Sequence, residues 1–226
     1  MRHVLLIPRA LTVLGLLLLS PLAAMAEDKS RNLFDGKSID DWEILEFGGS
    51  GEVEIVEGSL VINDGAELSG IKFKKPKLLP TMNYEVEIEA RKTTGFDFFV
   101  ALTFPFGDLE TCATFVVGGW GGGVVGLSSI DNLDASENST TEYMRFAEDE
   151  WQTIKLRVTE NRIQGWVRGQ EIFDVDTEGK KVSLRPGQID MCAPFGVATF
   201  QTACEIRKFT ITDLAKDKAL SEDRQG

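Results

Sequence analysis

The chain has 226 residues, 42% of them hydrophobic and 27% charged, with 36 acidic residues against 24 basic ones and a formal net charge of −12. A surface of that sign repels polyanions, which excludes nucleic acid as a natural partner. The single histidine, His3, stands at the extreme N-terminus, so the body of the chain has no imidazole for a serine-histidine triad or a histidine-zinc site.

Residues 1–26 read as a signal peptide. Arg2, His3 and Arg9 supply a positive start, "ALTVLGLLLLSPL" is an apolar run, and "AMA" closes it with a small-x-small cleavage signal. The run is shorter than the ~20 residues a spanning helix needs. Cleavage would leave 22 basic and 36 acidic residues, a formal charge of −14. An exported protein, periplasmic or extracellular and without a membrane span, is therefore expected. Residues 27–214 suit one domain, and the charged tail 215–226 is expected to fray.

Within the domain, short runs of period two are punctuated by Gly, Asn and Asp, an all-β pattern. In "LFDG", Phe34 is expected in the core and Asp35-Gly36 in a turn. Trp42 and Trp151 are expected to open strands and pack beneath the sheets. "EVEIVEGSLVIND" predicts a hairpin turning at Glu57-Gly58. "MNYEVEIEARK" predicts a long strand with Tyr84, Val86, Ile88 and Ala90 on one face and Glu85, Glu87, Glu89 and Arg91 on the other. "FDFFVALTF" is bulky on both faces, as a central strand between layers should be.

After it comes "VVGGWGGGVVGLSSID", six glycines around Trp120. No lysine or arginine occurs from Thr93 to Met144, so a phosphate cradle is excluded. Two readings stay open. The glycines admit close approach of a flat ligand, with the indole of Trp120 as a sugar platform, or they mark tight sheet packing with Trp120 in the core.

The following loop, "SSIDNLDASEN", offers Asp131, Asn132 and Asp134 as oxygen ligands for calcium, although its spacing is not that of an EF-hand. A solvated loop is the other reading, and nothing else in the sequence requires a cofactor. "WQTIKLRVTENRIQGWVRGQEIFDV" predicts three strands with turns at Glu160-Asn161 and Gly169-Gln170, and "FGVATFQ" and "CEIRKFTIT" close the domain. Cys112, Cys192 and Cys204 all lie in apolar strand-like stretches, either as three buried thiols or as one disulfide and one thiol. So many short antiparallel strands make a two-sheet sandwich or jelly roll.

The order of "NLFDGKSIDDWE", "VEGSLV", "YEVEIEAR", "DEWQTIKLRVTENRIQGWVRGQEIFDV" and "IRKFTITDL" resembles the 3-keto-disaccharide hydrolase domain family over nearly the whole domain. The resemblance implies a concanavalin A-like jelly-roll β-sandwich of two antiparallel sheets, an exported carbohydrate-active protein, and cleavage of oxidised disaccharides. It also exposes two departures. Where members commonly carry an "NSGIFFR"-like strand, this chain has "TGFDFFVALTF" and no equivalent arginine. Where relatives often place a histidine before the tryptophan of an "HWLNG"-like turn, "QGWVRG" places Gly165.

Cleavage beside a 3-ketone needs a base for the acidified hydrogen at C2, something positive at the developing enolate oxygen, and a proton for the leaving group. Without histidine the base must be Asp, Glu, Tyr or Lys. Asp97, Glu85 and Glu87 are the candidates. Glutamates two apart on a strand stand about 6.5 to 7 Å apart on one face, although alternating Glu is also what a solvated strand face looks like. Arg145, the first cation after the acidic stretch, is the candidate charge stabiliser, with a plain salt bridge as its other role. A carbohydrate-binding module on the same fold, without turnover, is the alternative function.

Overall fold

The structure, a computed structural model, describes residues 29–214. The signal peptide and the tail expected from the sequence lie outside the described residues. The strands in chain order are β1 (Lys29–Asn32), β2 (Trp42–Leu45), β3 (Val53–Val56), β4 (Ser59–Ile62), β5 (Leu68–Phe73), β6 (Tyr84–Gly95), β7 (Val100–Phe106), β8 (Asp108–Gly118), β9 (Val124–Ser128), β10 (Glu142–Tyr143), β11 (Gln152–Val158), β12 (Arg162–Val167), β13 (Gln170–Asp176), β14 (Gly196–Phe200) and β15 (Thr202–Asp213). They form two antiparallel sheets. The β6 sheet runs β13-β12-β11-β6-β15-β4-β3, with β1 also on β15, and the β7 sheet runs β10-β9-β8-β7-β14-β5-β2. The chain passes repeatedly from one sheet to the other, which makes the sandwich a jelly roll.

The alternation read in β6 is realised. Tyr84, Val86, Ile88 and Ala90 are fully buried between the sheets, while Glu85, Glu87 and Glu89 stand on the outer face and pair with Arg157, Lys208 and Arg207. Tyr84 ties the layers together, its hydroxyl donating to the Pro105 carbonyl at 2.6 Å across the core. Complete burial pushes that phenol well above its ordinary pKa, so it stays a neutral donor. Trp42 is buried, donates its indole N–H to the Leu33 carbonyl at 2.8 Å, and packs on Phe73 and Phe209 at ring separations of 5.2 and 5.1 Å. Each such buried aromatic contributes about 1.5–3 kcal/mol by area alone. Phe34 is also in the core, and Asp35 accepts the Lys37 and Ser38 N–H groups to close its turn.

Trp151 corrects the sequence reading. It lies on the outer face of the β6 sheet, where Arg91 and Arg207 sit 4.9 and 4.2 Å from its ring centroid. The pattern reveals a tryptophan at a strand start but not which layer its ring faces, and here two guanidiniums cover it.

β7 is the middle strand of its sheet, buried on both faces as its bulk predicts. Val100, Leu102 and Phe104 face the sandwich core. The other face of this sheet is covered by Cys192 and Ile189 from the 3-10 segment Gln188–Cys192, which join Leu45, Phe47, Leu68 and Ala198 in a second apolar cluster.

The three cysteines are all free and buried, which decides between the two readings of the sequence. Desolvation pushes Cys112 up to about 11 and Cys192 and Cys204 up to about 12, so they remain unreactive thiols at neutral pH. An aromatic disulfide reagent is therefore expected to label none of them in the native protein and three after denaturation, and a reducing agent is expected to leave the melting temperature unchanged.

Candidate functional site

The glycine-rich stretch is the turn between β8 and β9. Gly118, Trp120, Gly121 and Gly122 all take positive φ, at 85°, 50°, 86° and 98°. Glycine is at ease there, whereas an L-residue such as Trp120 is strained. At Gly122 a Cβ would stand 3.0 Å from the Phe96 carbonyl oxygen, so the turn lies tight against the neighbouring chain. Trp120 occupies the tip and is 41% exposed. The indole therefore lies outside the core, while neighbouring glycines such as Gly122 do pack tightly.

Asp97 holds this turn in place. It lies in the connection that carries the chain from β6 to β7, that is, from one sheet to the other. One carboxylate oxygen accepts the Phe98 N–H and the other accepts the Gly121 N–H, each at 2.8 Å. Its own N–H donates to Thr202 Oγ1 at 2.9 Å. Thr202 follows Gln201, the one residue between β14 and β15, where the chain crosses back. The Phe200 N–H donates to the Phe98 carbonyl at 3.0 Å, so the two crossings lie side by side.

These elements enclose a hollow. Asp97, Phe98, Trp120, Arg185 and Phe200 line a pocket of about 240 Å³. An adjoining pocket of about 170 Å³ shares Phe98, Trp120, Arg185 and Phe200 and rests on Ala101, Thr114 and Ser128 of the β7 sheet. Small side chains on that sheet face make the concavity, and aromatic rings wall it, as in pockets built for small ligands. Arg185 was missed by the sequence reading. Its guanidinium carbon stands 5.7 Å from the Trp120 ring centroid, and its Nε is 3.6 Å from an Asp134 oxygen. Sixty-five residues separate it from Trp120 in sequence, and "LRPGQ" carries no periodic signal that would place it here.

The structure thus brings Asp97 and Trp120 to one pocket and leaves the other candidates elsewhere. Glu85 and Glu87 are on the outer face of the opposite sheet. Glu85 accepts Arg157 Nε at 2.6 Å and lies 3.5 Å from Lys155 Nζ, and Glu87 pairs with Lys208. They are the solvated strand face, on the sheet opposite the Trp120 pocket, which leaves Asp97 as the one candidate carboxylate that lines it. Arg145 lines a different cleft, beyond the glycine turn, and Arg185 takes the place expected of it.

Gly165 faces inward, where a Cβ would stand 2.3 Å from the Phe173 ring. Its side-chain direction leads into the core and not into this pocket.

The candidate calcium loop is engaged by protein. Asp131 accepts the Lys181 N–H at 2.8 Å, Asn132 accepts Lys181 Nζ at 2.7 Å, and Asp134 accepts the Ser136 N–H and hydroxyl at 2.9 and 2.7 Å besides facing Arg185. Among the described residues no group of three or more His, Cys, Asp or Glu is placed to hold a metal ion.

The family model of the 3-keto-alpha-glucoside-1,2-lyase-like domain matches residues 29–211, essentially all of the sandwich. The chain belongs to this family. The lyase-like domain has the same fold as several solved structures of low identity. The Crh5 transglycosylase in complex with NAG is 9% identical, with TM-score 0.56 and coverage of 85% of this chain and 86% of that one. A structure from work on endo-acting O-glycanases of the human gut microbiota is 13% identical, with TM-score 0.51 and coverage of 81% and 100%. The exoplasmic/lumenal domain of VIP36, bound to Ca2+ and Man3GlcNAc, is 10% identical, with TM-score 0.51 and coverage of 84% and 91%. At these identities the likeness is one of fold. No curated protein matches the sequence. Among the described residues of the lyase-like domain no helix is long and apolar enough to cross a membrane.

Proposed function

We propose that this lyase-like domain is an exported carbohydrate-active enzyme that takes a 3-keto-glucoside into the Trp120 pocket and cleaves it by elimination. The observation that carries the reading is that a carboxylate, a guanidinium and an open indole, Asp97, Arg185 and Trp120, line one hollow. The sugar ring lies on the indole. Asp97 removes the hydrogen from C2, and the electron pair moves into the ketone to give a C2–C3 enolate whose oxygen faces Arg185. The enolate then collapses, the C1–O bond breaks as a C1–C2 double bond forms, and the proton passes to the departing oxygen. Addition of water across the double bond would complete a net hydrolysis. Elimination suits this site better than direct hydrolysis, because neither pocket is lined by the second carboxylate that the two-acid mechanism requires.

A second reading is favoured by one specific observation: both Asp97 oxygens already accept backbone N–H groups. A carboxylate so committed can act purely as a brace, leaving a carbohydrate-binding module on the same fold. Incubating the purified protein with 3-keto-trehalose, with calcium and with chelator in parallel, separates the two. Release of the cleaved sugar at equal rates with and without the metal is the expected result. Binding without any product would establish the module instead.

A further inference from the structure

The glycine turn has two sides, and the second side is also a built site. Asp97 and Trp120 border the pocket on one side, while their neighbours Phe96 and Gly121 to Gly123 border a cleft of about 420 Å³ on the other, completed by Lys92, Met144 and Arg145. In a chain with a formal charge of −12, this cleft has two cations and no acidic residue in its lining. Among the described residues neither the Lys92 ammonium nor the Arg145 guanidinium makes an ion pair, although most of the other surface cations near the outer sheet face do. Phe96 offers an open ring, 62% exposed.

The backbone carrying these groups is fixed. The Lys92 carbonyl accepts the Asp149 N–H at 2.8 Å, the Arg145 carbonyl accepts from Arg168 at 3.1 Å, and Met144 N–H donates to Gly123 at 2.9 Å. Between pocket and cleft the ridge is bare glycine, and a Cβ at Gly121 would meet nothing within 4 Å.

We infer that the cleft receives the group on the far side of the scissile bond and selects for a negative charge there, a carboxylate or sulfate on a sugar or aromatic ring. This rests on the proposed function in placing the ketosugar on Trp120. With the sugar there, its C1 substituent can cross the glycine ridge, lay a ring on Phe96, and present an anion to Lys92 and Arg145. Among the described residues these cations have no ion-pair partner to give up on binding such a group, and hydrogen bonds to charged partners are the strong ones.

The test uses a matched pair, the 4-carboxyphenyl and 4-carbamoylphenyl 3-keto-α-glucosides, alike in size and differing in charge. Wild-type protein is expected to favour the carboxylate about 10-fold in kcat/KM, the effect of one good hydrogen bond to a charged group. That preference should shrink as ionic strength rises. In the Lys92→Ala/Arg145→Ala double variant it should fall to about 1, chiefly through loss of rate on the carboxylate compound. Equal rates on the two compounds, or a preference that survives the double variant, would overturn the inference. If neither compound turns over, calorimetric titration of the same pair separates the two proposals. A charge preference in binding that the double variant abolishes keeps the cleft and removes the catalysis, and no preference removes the cleft.

Discussion

Asp97→Asn is expected to lower kcat on a 3-keto-glucoside by at least about 100-fold, the smaller end of what a positioned base contributes, with KM changed by less than about 3-fold. This side chain has one observed duty and one proposed duty. As brace, it accepts the Phe98 and Gly121 N–H groups. Asparagine keeps one of these bonds but turns an amide N–H toward the other donor, a loss of about 1–3 kcal/mol that the sandwich can bear. As the proposed base, it would offer the remaining lone pairs of the carboxylate to the C2 hydrogen, and asparagine has nothing equivalent. A loss in kcat with a small change in KM therefore reports the base, because damage to the turn would move Trp120 and appear in KM. Asp97→Ala provides the control, since added formate should restore part of its rate if a carboxylate at that point is what the reaction needs. Retention of wild-type kcat by the asparagine variant, or failure of formate to act, would leave Asp97 with its bracing role alone.

Gly165→His, which installs the histidine that the family resemblance leads one to expect at this position, is expected to cost stability and to add no activity. The position pairs with Leu156 on one side and Phe173 on the other. A Cβ there would lie 2.3 Å from the Phe173 ring, which stands edge-on to Phe115 at 5.0 Å. An added methyl alone overpacks the core by about 1–3 kcal/mol, and an imidazole brings a buried polar ring without a partner. A total beyond about 3 kcal/mol follows, or roughly 10 °C in melting temperature for a domain of this size. Shrinking the opposing ring should return part of it, so Gly165→Ala combined with Phe173→Leu is expected to melt above Gly165→Ala alone. A Gly165→His protein as stable as wild type would show that the strand can turn this position outward, and would reopen it as a site residue.

The fold was legible because β-structure writes itself in short range. The alternation of Tyr84 to Arg91, the glycine at Gly58 and the double-faced bulk of β7 each depend on neighbours one or two residues away, and each is realised. The site was legible in part, for the same reason. Asp97 and Trp120 announce themselves by local oddity, an acid at the polar end of an apolar strand and an indole among glycines. Period two says that Glu85 and Glu87 share a face, but not which of the two sheets faces a ligand. Nothing local says that Trp151 will lie under two guanidiniums, or that Arg185, far along the chain, will fold back over Trp120. Those facts belong to the packing of layers and the path of one long loop, which a pattern of adjacent residues does not encode.

The pocket stands at the two places where the backbone steps between layers, and this makes it a seam. Its floor and the two donors to its acid, Phe98 and Gly121, belong to one layer, whereas Thr202, which accepts the Asp97 backbone N–H, opens a long strand of the other. If the proposed function holds, a slip of one layer against its partner by a fraction of an ångström would shift the backbone under Asp97 relative to the indole, so loosening the interior far from the pocket should register first as slower turnover and only later as melting.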